Sequence, residues 1–163
     1  NNGEDCAAAG SLGMLYQWSA AMDGSTTGGA QGVCPTGWHV PTDAEWCTLE
    51  NTIEAGTDPA CSITNFRGGS IGSKMANHVA DQSWTAGALT GDAGFGSSGL
   101  DAGPPGYRVN NGTYYGRGIL TYMWSSTENG TGAWARYLSY VGTKSSRTPP
   151  LKIYGFSVRC VKD

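Results

Sequence analysis

The amino-acid sequence predicts an α+β fold in which one helix and a C-terminal antiparallel sheet are joined by long loops. Three observations support this prediction. A helix-capping pattern begins at Thr42, segments rich in aromatic and β-branched residues follow residue 120, and the region between them is rich in Gly, Ser and Asn. Separate helical and antiparallel segments along one chain are typical of the α+β class. The length of 163 residues fits a single domain over residues 1–163.

The helix is predicted from residue 43 to about residue 54. Thr42 and Glu45 match a capping box, in which the Thr42 hydroxyl accepts from the amide of Glu45 and the Glu45 carboxylate accepts from the amide of Thr42. Asp43 adds negative charge to the first turn, where the helix dipole favours it. Helix initiation therefore explains these acidic side chains. Trp46, Leu49 and Ile53 recur at helical spacing and form an apolar stripe, and Gly56 ends the helix.

His39 lies in the stretch "CPTGWHVPTDAEW" (34–46) that leads into this helix. A cluster of Cys, His and acidic residues raises the question of a metal or catalytic site. Because His39 is flanked by Trp38 and Val40, we expect a packed and hydrogen-bonded histidine there, with no ligand or catalytic role.

The sheet is predicted from three segments near the C-terminus: "TYMWSSTE" (121–128), "AWARYLSYV" (133–141) and "YGFSVRCVKD" (154–163). The sequence "ENGTG" between the first two is a hairpin signal, and apolar and polar residues alternate in the third. We predict a three-stranded antiparallel sheet. Near the N-terminus, the apolar segment "GMLYQWSAAM" (13–22) is expected in the core, as a strand or a short helix.

Residues 56–121 are predicted to form long loops that isolated aromatic residues anchor to the core. Within this region "GFGSSG" (94–99) resembles a dinucleotide-binding pattern, but the following "LDAGPPGYR" cannot begin the helix that such a site needs. Asp92 and Asp101 flank this glycine loop. Their carboxylates and the loop carbonyls are candidate calcium ligands, and ordinary turn chemistry is the alternative.

The composition excludes several classes of function. The net charge is −3 and no basic run is present, which argues against nucleic-acid binding. No apolar run approaches the roughly 20 residues of a membrane-spanning helix, so no membrane insertion is expected. No nucleophile motif ties a Ser to either His, and we predict no catalytic residue and no enzymatic activity.

Five cysteines are many for this length, and their spacing matches no zinc pattern. We favour an oxidising compartment with two disulfides and one cysteine left over. Reduced core cysteines and a metal site are the alternatives.

Several motifs resemble, in the same order, the Fibrobacter succinogenes major paralogous domain. They are "GMLYQWSAAM", "VCPTGWHVPTDAEWCTLE", "GPPGYRVNNGTYYGRG", "YMWSSTE", "AWARYLSY" and "KIYGFSVRCVKD", and they cover nearly the whole chain. The family is similar to the formylglycine-generating-enzyme type of C-type lectin fold. The resemblance implies a C-type lectin-like domain with a small twisted antiparallel sheet, one or two helices and long loops, exported or attached to the bacterial surface.

The resemblance also guides the cysteine pairs. The family has a cysteine in "CPTGWH" and one in "VRCV", which implies a disulfide between Cys34 and Cys160. Cys47 and Cys61 are extra to the pattern, and we expect them to pair because one lies on the helix and the other just beyond it. Cys6 is then left over. The enzymatic branch of the wider fold uses reactive cysteines, but no catalytic residue is carried over here.

The function that the resemblance implies is a ligand-binding or adhesion module at the cell surface or outside the cell, with an unknown protein or carbohydrate ligand. Such folds also serve as variable proteins of diversity-generating retroelements. The alternative is a structural head of a surface filament, pilin or cell-wall protein, for which we expect self-association. Trp124 and Leu138 are expected in the core. The candidate ligand-binding residues are Tyr114, Tyr122, Asn129, Trp134, Tyr137 and Tyr140.

Overall fold

The computed structural model describes residues 12–77 and 84–163. In this part of the chain the protein is a small mixed α/β structure with three antiparallel sheets and few helices. The helices are α1 (Trp18–Ala21), α2 (Asp43–Ile53), α3 (Ile71–Met75) and α4 (Ala88–Gly91). The strands are β1 (Tyr16–Gln17), β2 (Trp38–His39), β3 (Asn65–Arg67), β4 (Tyr107–Arg108), β5 (Tyr114–Tyr115), β6 (Leu120–Asn129), β7 (Gly132–Ser139), β8 (Ser145–Thr148), β9 (Gly155–Phe156) and β10 (Val161–Lys162).

Helix α2 has the predicted bounds to within one residue. The Thr42 hydroxyl accepts from the amide of Glu45 at 3.2 Å, and the amide of Thr42 donates to the Glu45 carboxylate at 2.8 Å. The predicted capping box is therefore confirmed. A signal of this kind can be read from the sequence because all its partners lie within four residues.

The main sheet contains β3, β8, β7 and β6 in that order. Strands β6 and β7 form the predicted hairpin, in which Tyr122 lies opposite Tyr137 and Trp124 opposite Ala135. The register shifts between Trp124 and Glu128. Long pairing on both sides of a tight turn is what the "ENGTG" signal predicts, and that prediction is confirmed.

The predicted third segment lies beside β6, where Ser157 forms an isolated parallel bridge to Met123. The prediction that it forms a third antiparallel strand of this sheet is wrong. Residues 154–163 contribute β9, which pairs with β1 and β4, and β10, which pairs with β2. The place beside β7 is taken by β8, in which Ser145, Ser146 and Arg147 are all buried. A strand with buried polar side chains has no apolar alternation, so the periodicity rule does not detect it.

The main sheet separates two hydrophobic cores. On one face Trp124 packs with Trp18, Met22 and Phe156. On the other face its neighbour Met123 packs in a core that also includes residues of α2, α3 and α4. Successive residues of a strand point to opposite faces, which explains this division. Trp124 and Leu138 are fully buried, as expected.

The N-terminal segment forms β1 and then α1. Trp18, Ala21 and Met22 are buried in the first core, whereas Met14 is 48% exposed. The indole N–H of Trp18 donates to the carbonyl of Ser125 at 2.8 Å, which satisfies its polar group inside the core. The core position predicted for this segment is confirmed at Trp18, Ala21 and Met22, whereas Ser19 and Ala20 are exposed.

Residues 56–121 are less irregular than the sequence predicts. Strands β3, β4 and β5 and the short helices α3 and α4 lie in this region. Trp84 is a buried anchor of the expected kind, but Phe66 is 55% exposed. Short elements of two to five residues lie below the length at which hydrophobic periodicity is informative.

Candidate ligand-binding site

Seven aromatic side chains form a continuous row across one face of the main sheet and onto strands β9 and β4. The ring centroids of Tyr122 and Tyr137 are 4.6 Å apart, and those of Tyr122 and Phe156 are 4.5 Å apart. At such separations aromatic rings attract one another beyond the effect of area burial. This aromatic row consists of Phe66, Tyr137, Tyr122, Phe156, Tyr107, Tyr115 and Tyr154.

The aromatic row extends from the core to the surface. Phe156 is 1% exposed, whereas Phe66 and Tyr115 are 55% and 50% exposed. Tyr107 and Tyr122, between these extremes, are half-buried. The buried rings hold the exposed rings in place, so the row presents a rigid aromatic surface.

A hollow of about 220 Å³ opens beside the row where β9 and β4 meet the main sheet. None of its lining side chains is charged. Ligand sites are typically concave and mostly apolar, with a few polar groups that fix orientation. The hollow is lined by Tyr107, Val109, Tyr122, Thr148, Pro150, Tyr154 and Phe156.

The polar groups of this hollow are phenol hydroxyls. In the described part of the chain the hydroxyls of Tyr107, Tyr122 and Tyr154 make no hydrogen bond to protein. Burial raises the pKa of Tyr122 to about 12, with added effects of Tyr137 and Tyr107. The Tyr122 phenol therefore keeps its proton near neutral pH and can donate to a ligand acceptor.

Two of the six predicted contact residues lie in the aromatic row. Tyr122 and Tyr137 are neighbours within it, with their rings tilted by 32°. Tyr114 is exposed but lies on the face of β5 opposite to Tyr115, because neighbours in a strand point to opposite sides. Asn129 is exposed at the end of β6, away from the row.

The other two predicted residues have structural partners. The Trp134 ring lies under the Arg147 guanidinium, 3.5 Å from its carbon to the ring centroid. Tyr140 packs against the second core. The sequence reasoning missed Tyr107, Tyr154 and Phe156 as members of one site. No local signal places Tyr107 beside Phe156, a strand residue that follows almost fifty residues later.

A second feature is a buried ion cluster between α2 and the main sheet, formed by three acids and three arginines. The Arg136 guanidinium contacts Asp43 at 2.7 Å and Glu50 at 3.0 Å, and Arg147 contacts Asp43 at 2.7 Å. Opposite charges are equal in number, which limits the cost of burying them. The cluster consists of Asp43, Glu50, Asp58, Arg67, Arg136 and Arg147.

Asp43 shows why helix initiation alone does not explain the acids of this region. Its side chain is buried and faces Arg136 and Arg147 of the sheet. Burial works to raise the pKa of Asp43, but the hydrogen bond from Arg147 and the charge of Arg136 lower it below its ordinary value. Asp43 lies in the first turn of α2, as predicted, and it also links the helix to two strands, which the sequence analysis did not foresee.

The described residues contain two disulfides, one between distant parts of the chain and one between neighbouring segments. Cys34 is bonded to Cys160, and Cys47 to Cys61. These are the pairs expected from the sequence, while Cys6 lies outside the described residues. The sulfurs of Cys47 and Cys61 and a carboxylate oxygen of Asp58 lie within 4.8 Å of one another. These potential metal donors are already engaged, because the sulfurs are bonded together and Asp58 accepts from Arg67 at 2.8 Å.

The family model of the Fibrobacter succinogenes major domain matches residues 1–162. The chain belongs to this family. The resemblance seen in its motifs is thereby confirmed. Comparisons with curated proteins and with solved structures find no match. Among the described residues of this Fibrobacter succinogenes major domain, no helix is long and apolar enough to cross a membrane.

His39 of the domain is hydrogen-bonded, as expected. One ring nitrogen lies 2.7 Å from a carboxylate oxygen of Asp163, and the other lies 2.9 Å from Glu45. The hydrogen bond with Asp163 raises the pKa of His39, and Glu45 adds to this rise against the opposing effect of burial. These contacts connect the helix entry to the C-terminal residue.

The Asp92 carboxylate is used within a turn of the domain. It accepts from the amide of Gly94 at 2.9 Å and from the hydroxyl of Ser70 at 3.0 Å. The hydrogen bond from Gly94 lowers its pKa. The carbonyl of Asp101 accepts from the Arg159 guanidinium. The Gly94 contact is ordinary turn chemistry, whereas the Ser70 and Arg159 contacts join segments that are distant in sequence. Calcium binding stays a prediction.

A further hollow of about 570 Å³ lies between α2 and the C-terminal strand. Trp46, Leu49 and Leu100 give it apolar walls, and Glu45 and Arg159 lie at its margin. This second hollow is an alternative binding site, so a ligand that binds there and not at the aromatic row can be recognised by its effect on Trp46.

Proposed function

We propose that this Fibrobacter succinogenes major domain is a non-enzymatic, exported ligand-binding or adhesion module on a C-type lectin-like scaffold. The aromatic row is its recognition surface. The observation that carries the proposal is the hollow beside Tyr107, Tyr122 and Tyr154, which combines aromatic walls with phenol hydroxyls that have no hydrogen-bond partner among the described residues. Tyrosine offers a large, rigid contact area at low entropic cost, which suits recognition.

The lining of the hollow defines the chemistry of its ligand. Because no charged side chain lines it, an ionic ligand would lose hydration without gaining a partner. A volume of about 220 Å³ is below the size of typical drug-binding pockets and suits one ring-sized group. A neutral sugar ring has apolar faces and hydroxyl edges and matches these walls. An apolar side chain of a protein ligand is the competing occupant.

Two further observations support an extracellular or cell-surface location. Two disulfides are typical of proteins that fold in oxidising compartments. The net charge of −3 and the uncharged hollow suit a neutral surface partner and do not suit nucleic acid.

The test is a binding screen against arrays of neutral oligosaccharides and of surface proteins. Tyr107→Ala removes one wall of the hollow, and we expect it to weaken binding at least roughly tenfold, as for a central aromatic contact. Tyr114→Ala is the control, because Tyr114 is a tyrosine of the neighbouring strand β5 that faces the other side of the sheet. Equal binding by both variants would contradict the proposal. Ordered self-assembly without any saturable ligand would favour the structural head of a filament.

The more specific role, a variable protein of a diversity-generating retroelement, has its own test. Sequencing of the gene across one natural population should then show substitutions clustered within residues 114–150. Tyr115, Tyr122 and Tyr137 of the aromatic row fall in that range. Even variation along the chain would leave a fixed adhesive domain.

A further inference from the structure

The two disulfides are matched in burial. Cys34 and Cys47 are 4% and 5% exposed, and their partners Cys160 and Cys61 are both half-buried. Each half-buried cysteine also lines a hollow. A small thiol therefore has similar access to both bonds, and a difference in their reactivity must come from the surrounding groups.

The charged surroundings of the two bonds differ. The Cys47 sulfur lies 3.5 Å from a guanidinium nitrogen of Arg136 and 3.6 Å from one of Arg67. The Cys61 sulfur lies 3.6 Å from a carboxylate oxygen of Asp43. Within residues 12–77 and 84–163 no side-chain donor is hydrogen-bonded to the sulfur of Cys34 or Cys160.

These contacts make the two sulfurs of the Cys47–Cys61 bond unequal. When a disulfide opens, the departing sulfur becomes a thiolate, and a more stable thiolate leaves faster. Two guanidinium groups contact the Cys47 sulfur and would stabilise a thiolate there. A carboxylate oxygen of Asp58 lies within 4.8 Å of both sulfurs and opposes a thiolate on either of them. A thiolate on Cys61 would instead lie beside the Asp43 carboxylate. The arrangement therefore favours Cys47 as the leaving group.

The same hollow that exposes Cys61 supplies a path for an attacking thiol. It measures about 560 Å³ and is lined by residues of α2 and by Pro59, Ala60 and Cys61. Cys61 has φ of 51°, a left-handed conformation that costs a non-glycine residue free energy. Opening of the bond releases the segment that holds this conformation.

We propose that the Cys47–Cys61 disulfide is a thiol-exchange site. An incoming thiolate attacks the sulfur of Cys61, a new sulfur–sulfur bond forms, the Cys47–Cys61 bond breaks, and its electron pair remains on Cys47 as a thiolate beside Arg67 and Arg136. The product is a mixed disulfide between Cys61 and a small thiol. The sulfur of the small thiol is oxidised and that of Cys47 is reduced, so the step balances with this thiol as its only co-reactant. This site is separate from the aromatic row and does not depend on the proposed ligand.

The test uses glutathione as the small thiol and the full chain with Cys6→Ser, so that this cysteine cannot compete. The folded protein is incubated with glutathione, quenched with acid, alkylated and mapped by mass spectrometry. We expect glutathione on Cys61 and alkylation of Cys47, formed roughly tenfold faster or more than modification of the Cys34–Cys160 pair. Equal or slower opening of Cys47–Cys61, or glutathione attached to Cys47, would overturn the proposal.

A variant tests the role of the guanidinium groups. Arg67→Lys keeps the positive charge but moves the donor away from the Cys47 sulfur, and it should slow exchange at Cys61 roughly threefold or more. Exchange at Cys34–Cys160 should not change. If Arg67→Lys folds and exchanges at the wild-type rate, the assigned leaving group is wrong. If Arg67→Lys does not fold, the proposal is decided by the relative opening rates of the two disulfides in the protein that keeps Arg67.

Discussion

Replacement of Glu50 by Gln tests how far the buried ion cluster holds the helix on the sheet. The Glu50 carboxylate is 1% exposed and accepts from Arg136 at 3.0 Å, from the Ser145 hydroxyl at 2.9 Å and from Arg67. Glu50→Gln keeps the shape of the side chain but removes its negative charge. Arg67 and Arg136 then lose a carboxylate partner, and the buried cluster carries an unbalanced positive charge. Breaking a buried pair in this way costs about 3–5 kcal/mol. For a chain of this size that loss lowers Tm by about 6–20 °C.

The assay is urea unfolding followed by tryptophan fluorescence, with the disulfides intact so that two-state analysis is meaningful. Glu128→Gln is the matched control, since Glu128 pairs with Lys152 at the surface and its side chain is 39% exposed. Loss of an exposed pair costs about 0–1 kcal/mol. A loss below about 1 kcal/mol in Glu50→Gln would show that the cluster does not contribute as the contacts imply.

Three further predictions concern the Cys34–Cys160 disulfide, His39 and Gly72. Cys34→Ser opens a bond that spans 126 residues and should cost about 4–5 kcal/mol in the chain-entropy model; an unchanged Tm in calorimetry would refute this. The hydrogen bond with Asp163 raises the pKa of His39 above 6.5, so its stabilising effect is present below pH 6.5 and is lost as pH rises through the folded pKa. Tm measured against pH should fall more steeply above 6.5 in wild type than in His39→Gln, and parallel curves would rule out this linkage. Gly72→Ala places a Cβ 2.4 Å from a backbone carbonyl oxygen, whereas Gly142→Ala meets nothing within 4 Å; the first should unfold at lower urea than the second, and equal midpoints would contradict the close packing.

Local signals account for the parts of the fold that the sequence predicts correctly. The α2 cap depends on Thr42 and Glu45, three residues apart, and the β6–β7 hairpin depends on one turn. The family resemblance implied the Cys34–Cys160 pair, because spacing alone leaves several pairings open. The Cys47–Cys61 pair was expected from the positions of the two extra cysteines, on the helix and just beyond it.

The parts that could not be predicted depend on contacts between distant segments. Strand β8 is buried because Arg147 meets Asp43, 104 residues earlier, and no local pattern shows that an arginine will be buried. The aromatic row joins Tyr107 to Phe156 in the same way. Aromatic content indicated a recognition surface, but only the strand order shows which rings lie together.

The most direct test of the central claim is residue-resolved NMR of the tyrosine rings during titration with neutral oligosaccharides and with the protein hits of the binding screen. The proposed recognition surface predicts saturable shifts of Tyr107, Tyr122 and Tyr154, with Tyr114 unchanged. Saturable binding that leaves these three rings unmoved, or that shifts signals around Trp46 instead, would contradict it.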